Sequence, residues 1–197
     1  MTVVDRRDPY SAHHSTRTAE VARAIAAEIG LDDILVETTD IAASLMNLGK
    51  ILVPEEFLTA ERKLTKEERM LIRNSTLTSA DLLEGIDFGG PVAQTLGQML
   101  EFVDGSGVPN GISGDDIIKT AQICAVANTF VGLISPRSYR DGMDFTKAVD
   151  ILQGDVDHQF SRGAVAALVS RIENKGGREA WEHFRVLDEG AETGSDA

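Results

Sequence analysis

Ile117, Ala121, Cys124, Asn128 and Val131 fall at positions i, i+4, i+7, i+11 and i+14. That spacing lines one face of an α-helix. A half-buried strand would alternate apolar and polar residues with period two. No segment shows that alternation and no internal repeat is visible, so an all-α chain is expected. Asn128 is the odd member of the stripe. An amide on an apolar face either finds hydrogen bonds or costs a few kcal/mol. It reads either as a satisfied core residue or as part of a site.

Other helical patterns flank this one. Val21, Ala22, Ile25 and Ile29 predict a first helix stopped by Gly30, with His13 and His14 in its first turn. A histidine there is either a surface or capping residue or a metal ligand. Asp32 or Asp33 caps a second helix with Ile41, Leu45 and Leu48 inward, closed by Gly49 as a C-cap. Ile51 to Pro54 follows as a short apolar connector. Leu64-Thr65-Lys66-Glu67-Glu68 is a capping box opening a helix to about Leu83. Another helix is expected from Val92 to Phe102. Val103 to Gly111 is the clearest loop: three glycines, a proline and an asparagine permit tight turns. It reads as a helix connector or a binding loop. Ser113 or Asp115 is expected to cap the helix carrying Asn128. Shorter helices are predicted over Phe145 to Leu152, from Ser161 through Ile172, and around Trp181, Phe184 and Leu187. The expected organisation is one helical domain over residues 1–175. A short C-terminal helix and an acidic, disordered tail follow over 176–197.

The net charge of −13 argues against a polynucleotide or an anionic membrane as the main partner, since both attract clustered Lys and Arg. Cys124 is the single cysteine, so neither an intrachain disulfide nor a thiolate metal cluster is available. No apolar run approaches the roughly 20 residues of a membrane span. The first residues lack a signal-peptide core. A cytoplasmic location is expected.

Several segments resemble, in order, the HD-GYP family of the HD phosphohydrolase superfamily over roughly residues 8 to 172. Tyr10-Ser11-Ala12-His13-His14-Ser15-Thr16-Arg17 is similar to Tyr-Thr-Gly-Gly-His-Ser-x-Arg. Met46-Asn47-Leu48-Gly49-Lys50-Ile51-Leu52-Val53-Pro54 resembles His-Asp-Ile-Gly-Lys-Ile-x-Val-Pro, and Leu64 to Glu68 resembles Leu-Thr-x-Glu-Glu. Met99 to Pro109 aligns with His-His-Glu-x-x-Asp-Gly-Ser-Gly-Tyr-Pro. Ala125 to Phe130 is similar to Ala-Val-Ala-Asp-x-Phe, and Ser135 to Arg140 to Ser-Asp-Arg-Pro-Tyr-Arg. The resemblance implies an HD-type helical bundle. The family's members hold two or three metal ions such as iron or manganese and hydrolyse cyclic-di-GMP.

The departures fall on the metal ligands. Met46 and Asn47 stand for the His-Asp pair, Asn74 for a mid-helix histidine, Met99 and Leu100 for paired histidines, and Asn128 for an aspartate. His14 alone is retained among the usual ligands. Iron, manganese and magnesium need imidazoles and carboxylates, not thioether or leucine. No catalytic residue, metal or cofactor is therefore expected. Lys50, Arg137 and Arg140 match cations that lie near substrate phosphates in the family; each reads as a phosphate contact or as a surface charge. The loop residues Asp104, Gly105, Gly107, Val108 and Pro109 match the family's interaction loop, with Val108 in place of Tyr.

The resulting expectation is a catalytically inactive regulatory or scaffold module of bacterial signalling. It would work through protein contacts, with a GGDEF-domain protein or a second copy as partner. Two alternatives stand beside it. One is a sensor that binds cyclic-di-GMP or a related nucleotide without cutting it. The other is a metal-dependent cyclic-di-GMP phosphodiesterase.

Overall fold

The computed structural model describes residues 13–60, 62–136 and 141–186. Nine α-helices are present among these residues: α1 His14–Ile29, α2 Asp33–Leu45, α3 Glu55–Leu58, α4 Lys66–Leu82, α5 Val92–Gln98, α6 Lys119–Ile134, α7 Phe145–Gly154, α8 Arg162–Asn174 and α9 Gly177–Trp181. Short 3-10 turns at Leu48–Leu52, Gly114–Asp116 and Glu182–Arg185 join them. The described residues form no strand, only an isolated bridge between Val156 and Phe160. The all-α expectation holds.

The packing follows from where the small residues sit. Ala22 and Ala26 of α1 and Ala42 and Ala43 of α2 are fully buried. Small side chains let these two helices approach closely. α1 also packs on α6 and α8, which places it centrally in the bundle. The α6 stripe is buried at Ala121, Cys124 and Val131. Burial pushes the Cys124 thiol up to about 12, so it stays protonated and acts as a small apolar side chain. Phe130 of α6 meets Phe145 and Trp181 with ring centroids 5.6 and 5.9 Å away. The Trp181 indole N–H donates to Glu20 Oε1 at 3.0 Å, so the polar end of this buried ring is satisfied.

Side-chain caps open four of the nine helices, α2, α4, α7 and α8. Asp32 accepts the Leu35 N–H at 2.9 Å and caps α2. Thr65 accepts the Glu68 N–H, and Glu68 accepts the Thr65 N–H, closing the capping box of α4. Arg62 adds two short bonds to the same carboxylate, 2.7 and 2.6 Å long. The Arg62 guanidinium first, and the Thr65 N–H next, hold the Glu68 carboxyl at about 2, below its usual 4.5. A depressed folded-state value stabilises the fold above the unfolded value and loses that effect as pH falls through the folded value. The parent is therefore expected to lose thermal stability relative to Glu68→Gln between about pH 4.5 and pH 2. Parallel pH-dependent melts check this; curves of identical shape would contradict it.

Four local expectations are corrected. Gly49 does not cap α2, which ends at Leu45 with Met46 as its C-cap. Gly49 sits inside the 3-10 turn Leu48–Leu52, which also takes in Ile51 and Leu52 of the expected apolar connector. α5 stops at Gln98 instead of Phe102. The chain turns there to form the loop, and the Leu100 carbonyl accepts the Val108 N–H at 3.0 Å. Neither Ser113 nor Asp115 caps α6. A 3-10 turn intervenes and Ile118 precedes the helix, with its N–H satisfied by Gln98 Oε1 at 2.8 Å. α7 runs past the expected end at Leu152 to Gly154. The expected tail, Asp188 to Ala197, lies outside the described residues.

Candidate functional site

α1, the end of α2, the 3-10 turn and α6 meet at the start of the described chain. His13 takes a left-handed conformation, φ 62°, and puts His14 at the first position of α1. The His14 ring is buried at 8% exposure. Its Nε2 lies 2.8 Å from Asn128 Oδ1 on α6. An amide oxygen accepts, so Nε2 carries the proton and donates. One turn further along α6, a Cβ added to Gly132 would stand 3.9 Å from His14 Cε1. The ring thus lies over α6 between Asn128 and Gly132.

A second polar bond runs beside the first. Asn47 Nδ2 donates to Ser15 Oγ at 2.8 Å, joining the 3-10 turn to α1. That bond explains why Asn47 precedes the turn without capping it by its side chain. The turn is fastened on its other side by Ser79 of α4. Ser79 Oγ accepts the Gly49 N–H and donates to the Met46 carbonyl, both at 2.8 Å. Lys50 follows at 8% exposure, its N–H bonded to the Asn47 carbonyl at 3.0 Å.

The remaining sequence-derived positions divide into two groups. Met46 and Met99, at 2% and 4% exposure, belong to the central apolar cluster. Leu100 is half-buried where the loop begins. Asn74 is half-buried on α4, next to Ser75. Arg137 and Arg140 lie outside the described residues. Sequence reasoning missed Ser15 and Ser79. Ser15 stands inside the quoted opening motif, and its position beside His14 was an available signal. Ser79 offered none, being one polar residue in a mostly polar helix.

The glycine-rich loop is tied down at several points. Asp104 Oδ1 accepts from the Ser106 N–H at 2.9 Å and the Ser106 hydroxyl at 2.7 Å, and these bonds hold its carboxyl below the usual carboxylate range. Its backbone N–H reaches the His158 carbonyl at 2.9 Å. Glu101 Oε1 accepts the Asn110 N–H at 2.7 Å from below. Gly105 has φ 81°. A Cβ on Gly107 would stand 2.2 Å from the Phe102 nitrogen, so only glycine fits there. The Val108–Pro109 peptide is cis, and Val108 is exposed.

The donor set does not fit the two- or three-metal centre that the sequence resemblance implies. Among the described residues, no group of three His, Cys, Asp or Glu side chains gathers where it could hold a metal ion. Met46 and Met99 offer thioethers inside an apolar cluster, and hard cations such as manganese or magnesium do not choose thioethers.

The family model described as HD domain matches residues 1–162. The 3'3'-cGAMP-specific phosphodiesterase 1 of Vibrio cholerae is 29% identical over 154 residues, covering 78% of this chain and 36% of its own. The cyclic di-GMP phosphodiesterase response regulator RpfG of Xanthomonas campestris is 30% identical over 171 residues, covering 84% and 44%. Among solved structures, the HDG"Y"P protein Bd1817 of Bdellovibrio bacteriovorus matches with a TM-score of 0.65 at 20% identity, over 82% of this chain and 52% of that one. The HD domain of the phosphodiesterase PgpH of L. monocytogenes, solved with cyclic-di-AMP, matches with a TM-score of 0.61 at 15% identity, over 94% and 97%. These two likenesses bear on the fold. The chain belongs to the HD-domain family, and within it to the HD-GYP group. It spans less than half the length of the two curated relatives.

These relatives overturn one expectation. An inactive scaffold working through protein contacts does not match proteins named as phosphodiesterases of cyclic dinucleotides. The comparisons favour the phosphodiesterase alternative. No helix of the described residues is long and apolar enough to cross a membrane.

Proposed function

We propose that this chain takes a cyclic dinucleotide as its substrate or ligand, with phosphodiester hydrolysis as the activity its relatives point to. The observation that carries this reading is the match, over 78% and 84% of the chain, to phosphodiesterases named for 3'3'-cGAMP and cyclic di-GMP. Hydrolysis would add water across one phosphodiester: a P–O bond to water forms, a P–O bond to the sugar breaks, and the departing oxygen takes a proton. The product is a linear dinucleotide.

Lys50 is the described residue assigned to the phosphate. It is a compact cation, well suited as a point charge for phosphate oxygens. The 3-10 turn holds it in place, anchored by Ser79 below and by Asn47 to α1. Arg137 and Arg140 are proposed as its companions on the strength of the sequence resemblance. Lys50→Ala is expected to weaken dinucleotide binding at least about tenfold, the loss of one charge-assisted contact of roughly 1.5–3 kcal/mol. Equilibrium dialysis checks this; unchanged affinity would remove Lys50 from the site.

A second reading is retention of the dinucleotide without cleavage. It is favoured by Met46, Asn47, Asn74, Met99, Leu100 and Asn128, which replace carboxylate and imidazole with thioether, alkyl and amide groups. Under this reading the site is a degenerate one. Incubation with cyclic-di-GMP and with 3'3'-cGAMP, with and without added manganese, separates the two. Chromatographic appearance of the linear dinucleotide supports hydrolysis. Retention of intact ligand supports the second reading. Neither turnover nor retention would reject the proposal.

A further inference from the structure

We infer that the junction of α1, α2 and α6 is a metal-independent clasp, in which the His14–Asn128 and Ser15–Asn47 pairs make directly the connections that bridging cations would otherwise make. The inference concerns the same site as the dinucleotide reading but stands whichever ligand that site takes.

Both bonds start from adjacent residues of α1. His14 reaches α6, 114 positions away in sequence, and Ser15 reaches the turn after α2, 32 positions away. Three segments distant in the chain are thus joined by two polar contacts of 2.8 Å each. A metal centre joins such segments by drawing anionic ligands onto a cation. Without the cation, clustered carboxylates would repel one another and would cost heavily in a half-buried place. Neutral amides avoid that cost and still supply donors and acceptors. Asn47 spends a donor on Ser15 and Asn128 spends an acceptor on His14. Met46 and Met99, which stand at further ligand positions of the resemblance, belong to the central apolar cluster.

The charge balance has a consequence for ligands. In a metal site the carboxylates are offset by cations, so an incoming phosphate meets net positive charge. A metal-free site that kept its carboxylates would repel a phosphate. Amides at Asn47 and Asn128, the two that the junction's bonds engage, remove that repulsion.

The test starts from the intact chain. It is dialysed against EDTA, analysed for iron, manganese and zinc, melted before and after chelation, and titrated calorimetrically with manganese and zinc chlorides. The expected result is sub-stoichiometric metal, an unchanged Tm after chelation, and no saturable heat. A full equivalent of retained metal, or a Tm that falls on chelation and recovers with metal, would overturn the clasp. A second measurement compares His14→Ala, Asn128→Ala and the double variant. Each single change is expected to lower Tm by about 2–4 °C, and the double variant to melt close to the singles because both remove one bond. Strictly additive shifts would overturn the pairing. Metal uptake together with dinucleotide binding would sink the clasp and leave the dinucleotide reading intact. The absence of both would do the reverse.

Discussion

Gly49→Ala is expected to destabilise the fold by about 3 kcal/mol, the upper part of the range for overpacking a tight contact. An added Cβ would stand 2.0 Å from the Ser75 carbonyl oxygen, 2.8 Å from Thr78 Cβ and 2.9 Å from the Ser79 nitrogen. Two of these atoms belong to the α4 backbone and cannot swing aside. Relief requires the 3-10 turn to lift from α4, which breaks the Gly49–Ser79 hydrogen bond and leaves buried polar groups without partners. The same movement would displace Lys50 and Asn47, so binding should weaken along with stability. A Tm fall of roughly 6–12 °C is the expected readout. Gly97→Ala is the control, since its Cβ would meet only Ala80 Cβ at an ordinary 3.8 Å. Equal melts for the two variants would show that the close approach at Gly49 is not real.

Phe130→Ala should cost about 3–5 kcal/mol. Its ring is fully buried and lies between Phe145 and Trp181, meeting Trp181 edge-on. Truncation would remove both ring contacts and open a cavity where α6, α7 and α9 converge. The surrounding helices can relax only in part, so the lost packing is not recovered. Urea titration is the suitable measurement: the midpoint should fall with the slope unchanged. A loss below about 1 kcal/mol would mean that the site collapses freely, contrary to the aromatic cluster described here.

The parts of this structure that were legible in advance are those fixed by local chemistry. The capping box at Thr65 and Glu68 is such a case, because both partners lie within one helical turn. The α6 stripe is another, with Ala121, Cys124 and Val131 buried as their spacing requires. Gly49 shows where local reading stops. A glycine after an apolar helix suits a left-handed C-cap, yet here the residue is glycine because α4 presses against it from 26 or more positions away. Ser113 and Asp115 have the right side chains for capping, but a 3-10 turn places Ile118 at the helix start. Asn128 was marked as an oddity by its position on an apolar face. Its partner His14 could not be found from spacing, since 114 residues separate them. Ser79 gave no warning because its role depends on the backbone of another segment.

The most direct measurement is a calorimetric titration of the purified, metal-analysed chain with cyclic-di-GMP and with 3'3'-cGAMP. The proposed function predicts saturable binding of at least one of them, weakened in Lys50→Ala. No heat with either nucleotide up to high micromolar concentration would contradict it.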